Sequence, residues 1–589
     1  MFKYFRFGLL ALTAGNIFSA GAAEPVHRWN WNYYYSPRMP ANTVRGQKLT
    51  GTLRLPDGKI VKAQKFVFPE SGSIPLREVI KPQPRRMERT IVTSDFHCDT
   101  PERIVLGFGV NWKAKLYFNG KLIFDSTIPG NSERPVSHTN HMVELNCRSG
   151  NNQLLWELFG SSEFTLAAQL KNFPVPALRY QPWAMFPDSR EQAISIVFAT
   201  THPIPAGVDF RLKGTEKWQR AYNNLSGCIR RDTSVHHIRL TGLEPDKWYE
   251  YRAVLIDEAN SMREIPQKEI HTFKTAPAAA KSFTVTLTAD LQRSTAERTE
   301  FLKNMFKIPG GSESSFFAFL GDIDWTSNFE KVIIEGFITP FRAGSGNTLP
   351  LVMVRGNHEI YGNDSDKYFK YFKTPRTIEN SFFMFSYGDV CFIVLDFLDD
   401  APRLPAPSTR SKYDYAPHFQ KQQAWLKQIV KSEEFRKAKF RVVLCHAVPL
   451  GDHLPFLPGN VRRCIEPLFA SKNPAHRIHL WLGGHTHRAF RSIPLQNAAK
   501  SVMPVNFSKV KHPAIGVKYP FTVAVMGGPN KLVDQAFSLT SMQLKVKGDA
   551  LELMHYDRNG KLFDHIRIAP DGSIKELYSD TKRFPRHTY

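Results

Sequence analysis

The sequence predicts a multidomain chain in which two β-sandwiches are followed by an α/β domain. Its 589 residues exceed what one hydrophobic core holds and suggest about three or four domains. From residue 101 to residue 276, apolar and polar residues alternate between turn residues, which is typical of antiparallel sheets. From residue 282, apolar strands alternate with amphipathic helical patterns, which indicates an α/β domain.

Residues 1–23 have the pattern of an export signal. Lys3 and Arg6 give a positive start, residues 7–18 form a short apolar core, and Ala20-Gly-Ala-Ala23 offers small-residue cleavage sites. The core is shorter than the ~20 apolar residues that cross a bilayer, and no later segment is apolar for long enough. A buried N-terminal helix is the alternative. We therefore expect an exported chain, periplasmic or secreted, with no transmembrane segment.

The formal net charge of +24 favours anionic partners. Phosphate esters, an anionic cell surface, acidic polysaccharide and nucleic acid all fit this sign of charge. The basic residues are dispersed, with small clusters at 81–86 and in a predicted basic tail at 576–589. No RNA-binding signature or helix-turn-helix is present, so we expect no specific nucleic-acid binding. A solvated basic surface is the simpler alternative.

The six cysteines include no CxxC pair, which argues against a zinc ribbon. Export permits disulfides, and Cys98 with Cys147 is the first pair to test, although the connectivity stays open. Cys445 lies in an apolar run beside a histidine, where we expect a buried, inert thiol rather than a ligand.

Residues 24–180 are predicted to form the first sandwich. The segment IVLGFGVNWKAKLYFNGKLIFDS alternates around Asn119-Gly120, a dipeptide typical of a two-residue hairpin turn. This hairpin and the following VELNCRSGNNQLLWEL resemble the galactose-binding-like modules appended to many glycosidases. That resemblance implies a glycan-binding surface with Trp29, Trp31 and Trp112 as sugar platforms. Core packing of these rings is the alternative that we favour.

Residues 190–276 are predicted to form the second sandwich. Leu243-Glu-Pro245, followed by the aromatic residues of WYEY, resembles the turn and strand of a fibronectin type III domain, and HTFKTAP would close it. His236 and His237 are adjacent in a predicted strand and therefore point to opposite faces. We do not expect them to chelate one ion.

The α/β domain, predicted over 282–575, has a polar residue at the end of each of five strands. These strand ends are Asp290, Gly321-Asp322, Gly356-Asn357-His358-Glu359, His446, and Gly484-His485-Thr-His487. The carboxyl ends of such strands gather ligands at one edge of the sheet. Carboxylate, amide and imidazole together suit Mn, Fe, Zn or a similar divalent ion, and in two-metal sites the ions lie about 3.5–4 Å apart. The five strand ends therefore predict a dinuclear metal site.

The order D…GD…GNHE…H…GHTH resembles the calcineurin-like metallophosphoesterases over roughly residues 282–530. The resemblance implies a four-layer α/β domain with β-sheets flanked by helices. A fibronectin-like module directly before it looks like the arrangement in purple acid phosphatases. The implied roles are Asp290 and His487 on the first metal, Asp322 as the bridge, Asn357, His446 and His485 on the second metal, and His358 as an acid beside the phosphate.

Two positions depart from the family. Purple acid phosphatases carry a tyrosine ligand of ferric iron three residues after the bridging Asp, where this chain has Trp325. Most other members have Asp-x-His at the first motif, where this chain has Gln292. Asp-x-Gln resembles the manganese-dependent ADP-ribose/CDP-alcohol diphosphatases, which implies an amide ligand. A water ligand beside an incidental Gln292 is the alternative. We expect two divalent ions (Mn, Fe, Zn or Mg) and no purple colour.

Four further residues lie near these motifs. Asp324 is expected to cap or support the site rather than to bind metal. Tyr361, His453 and Arg488 follow motif strands and are candidate substrate contacts, with structural roles as the alternative. Arg488 is the best of them, because a guanidinium matches phosphate bidentately.

The expected function is hydrolysis of phosphate esters by an exported dinuclear-metal enzyme, with a metal-bridging hydroxide attacking phosphorus. Asp322 and His358 are the predicted catalytic residues. The domain order favours an acid phosphatase-like phosphomonoesterase, whereas the Asp-x-Gln motif favours a phosphodiesterase or nucleotide pyrophosphohydrolase. A glycan-binding surface protein with an inactive phosphatase domain is the alternative of another class. The otherwise complete ligand set argues against it.

Overall fold

The computed structural model describes residues 24–588, except 41–42, 45–46, 131–133, 162–163, 189–191, 261, 279–280, 326–329, 361–363, 373–380, 397–414, 450–464, 470, 472, 497 and 504–518. The predicted export signal lies outside the described residues. The chain folds into two compact units. Unit 1 comprises the chain up to Val175 together with Ile256–Glu264, and unit 2 comprises Pro176–Leu255 and the chain from Ile265 onward.

Unit 1 is a β-sandwich, as predicted. Its elements are β1 (Asn30–Tyr35), β2 (Thr52–Arg54), β3 (Ile60–Lys62), β4 (Gln64–Phe66), β5 (Ser73–Pro75), α1 (Leu76–Val79), β6 (Arg89–Cys98), β7 (Glu102–Val110), β8 (Lys113–Phe118), β9 (Lys121–Asp125), β10 (His141–Cys147), β11 (Gly150–Phe159) and β12 (Thr165–Lys171). One sheet has the order β4-β1-β6-β11-β8-β9 and the other β10-β7-β12-β5. Alternate side chains of both sheets, such as Trp156 and Phe108, share one core.

The aromatic residues of unit 1 mostly pack inside it. Trp29 and Trp31 are 5% and 2% exposed and belong to the core, so the core-packing interpretation is confirmed and neither is a sugar platform. Trp112 is half-buried. Asn119 and Gly120, with φ of 45° and 87°, form the predicted turn between β8 and β9.

None of the cysteines that the structure describes is in a disulfide. Cys98 and Cys147 are both buried, and burial raises the pKa of the Cys98 thiol to about 11. The structure therefore does not show the disulfide that export would permit between them. Cys445 is buried in the strand before His446, as expected of an inert thiol.

Unit 2 begins with a second sandwich. Its strands are β13 (Leu178–Asp188), β14 (Ala193–Thr200), β15 (Ala206–Leu212), β16 (Gln219–Tyr222), β17 (Asn224–Leu225), β18 (Cys228–Ile229), β19 (Val235–Leu240), β20 (Trp248–Asp257), β21 (Arg263–Pro266) and β22 (His271–Lys274). Ile196 of β14 and Tyr251 of β20 share a core across the two sheets. His236 is buried and His237 is half-buried, which agrees with their predicted opposite faces.

The remaining elements form the α/β domain. They are β23 (Ser282–Thr288), α2 (Thr295–Lys307), β24 (Phe316–Phe319), α3 (Thr339–Ser345), β25 (Leu351–Met353), α4 (Tyr368–Tyr371), β26 (Phe383–Tyr387), β27 (Val390–Leu395), α5 (Tyr415–Ile429), α6 (Glu433–Lys437), β28 (Phe440–Cys445), β29 (Leu480–Gly483), β30 (Phe490–Ser492), β31 (Ala498–Ser501), β32 (Thr522–Val525), β33 (Ser541–Lys547), β34 (Ala550–Tyr556), β35 (Leu562–Ile568), β36 (Ile574–Ser579) and β37 (Arg586–Thr588). A π-helix, Lys331–Ile338, leads into α3.

Two large sheets stack face to face in this domain. A ten-stranded sheet has the order β19-β14-β13-β25-β24-β23-β33-β34-β35-β36, and an eight-stranded sheet has the order β26-β27-β28-β29-β32-β30-β31-β37. Leu287 and Leu444 meet in the core between them. Phe301 of α2 covers the outer face of the first sheet, and Leu426 of α5 covers that of the second. The predicted four-layer arrangement is confirmed, and it follows from strands that are apolar on both faces.

The predicted second sandwich and the predicted α/β domain share a β-sheet. β13 of the second sandwich pairs in parallel with β25, so one sheet runs through both parts of unit 2. The boundaries at 180, 190, 276, 282 and 575 therefore stay predictions. The predicted basic tail at 576–589 contributes to β36 and β37, which pair with β35 and β31. Among the described residues, no helix is long and apolar enough to cross a membrane.

Candidate metal centre

The predicted ligands meet where five strands end. β23, β24 and β25 are parallel neighbours in the ten-stranded sheet, and β28 and β29 are parallel neighbours in the eight-stranded sheet. The residues that follow these strands are Asp290, Asp322, Asn357, His446, His485 and His487. A hydrogen bond of 2.7 Å from His446 Nδ1 to the Leu320 carbonyl ties the ends of the two sheets together. Strand polarity thus brings residues nearly 200 positions apart in sequence to one place.

Asp322 is shared by two groups of possible ligands. The first group is Asp322, His446 and His485, and the second is Asp290, Asp322 and His487. Within each group the ligand atoms lie within 4.8 Å of one another. A carboxylate common to two such groups is the arrangement that a bridging ligand needs.

The first group gains an amide oxygen from Asn357. Its Oδ1 lies 2.9 Å from His485 Nδ1 and 3.1 Å from His446 Nε2. His446 Nε2 also lies 3.1 Å from Asp322 Oδ2. His446 and Asp322 are fully buried, and Asn357 is 4% exposed. This half therefore offers two imidazoles, a carboxylate and an amide in a dry pocket.

The second group gathers around Asp290. His487 Nε2 lies 3.3 Å from Asp290 Oδ1, and the backbone N–H of His485 donates to the same carboxylate. Gln292 is 2% exposed, and its Nε2 donates to Asp322 Oδ2 at 3.1 Å. Gln292 Oε1 is buried with no hydrogen-bond partner among the described residues. Half a turn of the amide exchanges the two atoms and brings this oxygen to the side of Asp322.

The histidine tautomers fit a bound cation. Nδ1 of His446 faces the Leu320 carbonyl, and Nδ1 of His487 faces the Pro529 carbonyl at 2.9 Å. A carbonyl only accepts, so each Nδ1 carries a proton, and in the neutral imidazole that a cation would bind, each Nε2 would direct its lone pair to that cation. Lone pairs of nitrogen, carboxylate and amide that converge in this way suit divalent ions such as Mn, Fe, Zn or Mg.

The electrostatics of the pocket also favour positive charge. Burial alone lowers the pKa of His446, but the charge of Asp322 outweighs burial and raises that pKa to about 10. Burial raises the pKa of Asp322, but His446 and His358 hold it below its ordinary value. The charge on Asp322 is thus stabilised by whatever cation stands beside it.

The backbone of the centre is held in an uncommon conformation. Asp290, Asp322, His485 and His487 all have positive φ, at 54°, 64°, 72° and 55°. Together they are four of the thirteen described non-glycine residues with positive φ. Such a conformation costs free energy and survives only where the surroundings impose it. Its concentration here marks a functional site independently of the side chains.

Two glycines make room for the carboxylates. A Cβ on Gly356 would overlap Asp322 Oδ1, and a Cβ on Gly484 would overlap the Asp290 carboxylate. Both glycines directly precede a predicted ligand, so the chain can turn against a carboxylate only because they lack a side chain.

Glu359 supports the centre by binding the backbone next to two predicted ligands, a role that the sequence did not show. Its carboxylate accepts the backbone N–H groups of Asp322, Ile323 and Gly356 at 2.7–2.9 Å. Burial and the nearby Asp322 raise the pKa of Glu359, and the N–H groups oppose this rise. The only signal in the sequence was its place in GNHE.

A second supporting contact lies behind Asn357. Asp396, fully buried at the end of β27, accepts from Arg355 Nη2 at 2.5 Å and from His418 Nε2 at 2.8 Å. Gln422 of α5 accepts the N–H of Asp396 at 2.8 Å. This network holds the backbone two residues before Asn357.

His358 stands at the mouth of the centre. Its Nδ1 donates to the Trp325 carbonyl at 2.8 Å, so Nε2 is the nitrogen directed to the site. That Nε2 lies 3.8 Å from Asp322 Oδ2, and the side chain is 17% exposed. His358 can therefore reach a group bound between Asp322 and the solvent.

The remaining predicted residues are placed as follows. Asp324 accepts from Arg298 at 2.5 Å and is in neither ligand group, in agreement with a supporting role. Arg488 is half-buried directly after His487, and its contact with substrate stays a prediction. Tyr361 and His453 lie outside the described residues.

The sequence analysis also did not identify the residue that orients His487. Pro529, whose carbonyl orients His487, follows two glycines after β32. The glycines directly after this buried strand could have indicated that a residue of the site follows, as the single glycines Gly321 and Gly356 do after their strands.

The comparisons with known proteins agree with this geometry. Residues 283–489 match the family model described as calcineurin-like phosphoesterase. This stretch is a calcineurin-like phosphoesterase domain, which confirms the resemblance, and it contains every predicted metal ligand from Asp290 to His487. No curated protein sequence matches the chain.

Several solved structures match parts of this chain with TM-scores below 0.5. A purple acid phosphatase from yellow lupin (Lupinus luteus) seeds is 14% identical, with 82% of this chain and 93% of that chain covered and a TM-score of 0.48. GAP50 of Plasmodium, described as the anchor in the inner membrane complex, is 11% identical, with 51% and 90% covered and a TM-score of 0.33. A β-D-mannosidase from Dictyoglomus thermophilum is 13% identical, with 57% and 47% covered and a TM-score of 0.18.

Proposed function

We propose that this chain is an exported phosphomonoesterase of the acid phosphatase type that works with two divalent metal ions. The observation that carries the proposal is the buried Asp322 carboxylate, which is common to two ligand groups inside a calcineurin-like phosphoesterase domain. A single structural ion would need only one group.

The residues divide into two metal positions. Asn357, His446 and His485 would hold one ion, Asp290 and His487 would hold the other, and Asp322 would bridge them. Bound there, the two ions would lower the pKa of a water molecule and neutralise charge on the phosphoryl oxygens. The Oε1 atom of Gln292 supports its proposed role as a further ligand, because it is buried and otherwise unpartnered among the described residues.

His358 is proposed to act on the leaving group. The Trp325 carbonyl fixes the Nδ1 proton, so a protonated His358 can give up only its Nε2 proton and still keep that hydrogen bond. The proton would pass to the ester oxygen as the bond to phosphorus breaks. Its partial exposure lets the imidazole take up another proton from water.

The charge of the chain supports an anionic substrate. A net charge of +24 attracts phosphate esters at long range. A monoester dianion gains most from such a field. The predicted fibronectin-like order of the domains also favours the monoesterase.

A second candidate is a phosphodiesterase or nucleotide pyrophosphohydrolase. The buried amide of Gln292 beside Asp322 favours it, because the sequence resemblance to the diphosphatases depends on that residue. A glycan-binding protein is less well supported, since Trp29 and Trp31 are core residues.

Export is part of the proposal and is supported by the signal pattern at 1–23. Expression of the full chain should yield a mature protein that lacks these residues and lies outside the cytoplasm. Mass spectrometry of the N-terminus measures this, and a cytoplasmic chain that keeps residues 1–23 would contradict it.

A substrate panel tests the activity. The mature chain is loaded with Mn, Fe, Zn or Mg and assayed with phenyl phosphate, bis(phenyl) phosphate and ADP-ribose. The proposal predicts the highest kcat/KM for the monoester, and a higher value for either of the others would support the second candidate. A folded chain that recruits none of these metals would instead favour the glycan-binding protein.

A further inference from the structure

Trp325 and Trp248 are the two tryptophans with large solvent exposure among the described residues, and only Trp325 lies beside the metal centre. It is 49% exposed, whereas five of the ten tryptophans are at most 5% exposed: Trp29, Trp31, Trp156, Trp183 and Trp481. Exposing so large an apolar ring is unfavourable in water. A ring kept exposed beside a reactive centre is therefore a candidate for contact with a ligand.

The indole lies beside two imidazoles, that of His358 and that of His487 in the Asp290 half of the metal centre. Its ring centroid lies 5.5 Å from that of His358, with an edge-to-face angle of 86°. It lies 5.6 Å from that of His487, at 58°. The ring is thus beside the imidazole proposed to act on the leaving group, and beside a ligand of the Asp290 group.

The backbone of Trp325 is fixed on both sides. Its carbonyl accepts from His358 Nδ1 at 2.8 Å, and its N–H donates to Asp324 Oδ1 at 2.7 Å. The Asp324 carboxylate is held in turn by Arg298, which is 2% exposed. The exposed ring is therefore presented from an anchored backbone.

Metal binding does not explain the ring. Indole nitrogen is a donor only and has no lone pair for a cation. Its flat π face suits instead another flat ring, by stacking.

We propose that Trp325 is a stacking platform for the organic part of the substrate and that the preferred substrates are phosphate esters with a flat aromatic group close to the phosphate. This inference rests on the proposed function, because a phosphoryl group bound at Asp322 would send its leaving group past His358 and along the indole. The shared chemistry is the flat ring, which an aryl phosphate or a nucleotide can supply.

Phosphonates that resist hydrolysis test the inference by binding alone. Phenylphosphonate and cyclohexylphosphonate are similar in size, but only the first has a π face. Calorimetry on the metal-loaded mature chain is expected to give about tenfold tighter binding of phenylphosphonate, within the range for aromatic stacking. Trp325→Ala should abolish this preference, and Trp325→Phe should retain part of it.

Trp248→Ala is the matched control. Trp248 is also a solvent-exposed tryptophan, at 41%, but it lies on β20 outside the metal centre. This variant should keep the full preference for phenylphosphonate. An equal loss in the Trp248 variant would overturn the assignment to Trp325.

Rates of hydrolysis show whether the flat ring that stacks on Trp325 belongs to an aryl phosphate or to a nucleotide. The ratio of kcat/KM for phenyl phosphate over glycerol 2-phosphate, and that for AMP over glycerol 2-phosphate, are compared between wild type and Trp325→Ala. A fall of about tenfold in the first ratio supports an aryl ester, and a fall in the second supports a nucleotide. Leaving-group reactivity cancels in this comparison, because both proteins see the same esters.

The failures of the two proposals differ. Binding of both phosphonates with equal affinity in wild type, or a preference that survives in Trp325→Ala, overturns the platform and leaves the phosphoesterase intact. A folded, metal-loaded chain that binds neither phosphonate and cleaves no ester overturns both.

Discussion

The two halves of the candidate metal centre are unequally built. In the half around His446, an amide oxygen lies within 3.1 Å of two imidazoles, and the shared carboxylate is equally close. In the half around Asp290, one imidazole lies 3.3 Å from the carboxylate, and the further candidate donor is the neutral amide of Gln292. Each half has one half-buried histidine, His485 or His487, but only the second half is bordered by the exposed Trp325.

This difference suggests that the two ions bind with different affinities. We call the half around His446 the strong side, where the ion binds tightly, and the half around Asp290 the adaptable side, where the ion exchanges. Two imidazoles with a carboxylate bind a borderline divalent ion more tightly than one imidazole with oxygen donors. We therefore expect the ion at His446 to stay through purification and the ion at Asp290 to exchange. The adaptable side is also the side next to the proposed substrate ring.

The largest effect is expected from the residue that both halves share. Asp322→Asn removes the bridging charge, so both ions should bind poorly and kcat/KM for phenyl phosphate should fall by more than about 1,000-fold. Elemental analysis and steady-state kinetics measure the two losses together. Asp549→Asn, which changes an exposed carboxylate paired with Lys439, is the control and should retain both metals.

Replacing the imidazole of His446 should remove the ion from the strong side only. His446→Ala should reduce the bound metal from about two ions to about one and lower kcat by about 100-fold or more. The remaining ion should be the one at Asp290 and His487. Retention of two ions with full activity would show that the strand-end geometry does not hold a metal at His446.

Replacing Gln292 tests whether its amide binds the ion on the adaptable side. If its buried oxygen is a ligand, Gln292→Ala should lower the affinity for the exchangeable ion by about 10-fold, in the range for groups that support a metal. Gln292→His supplies a nitrogen donor and should restore the affinity. Titration of metal-depleted protein with Mn measures both variants. An unchanged affinity in Gln292→Ala would mean that water completes the site.

The smallest effect on activity is expected from the network behind Asn357. Asp396→Asn leaves Arg355 buried without its carboxylate partner and should lower the free energy of unfolding by about 3 kcal/mol. At a temperature where the variant is folded, kcat/KM should fall by about tenfold, because the Asn357 loop loses its support. Urea unfolding and kinetics on the same sample separate the two losses.

Much of the fold could be predicted because its patterns are local. The Asn119–Gly120 turn, the capped start of α2 at Ser294 and the apolar run of β27 each depend on neighbours in sequence. The continuous ten-stranded sheet could not be predicted in this way. It depends on pairing between β13 and β25, which are separated by more than 150 residues.

The sequence alone determined the chemistry of the centre, since it set the residue types at five strand ends and the glycines before them. A strand that is apolar on both faces must be buried, and the first polar residue after it must emerge at the sheet edge. Only the tertiary structure decided which side chains share Asp322, that Glu359 holds three backbone N–H groups, and that Trp325 lies beside two imidazoles. Those relations depend on distances between segments distant in the chain, and no local pattern encodes them.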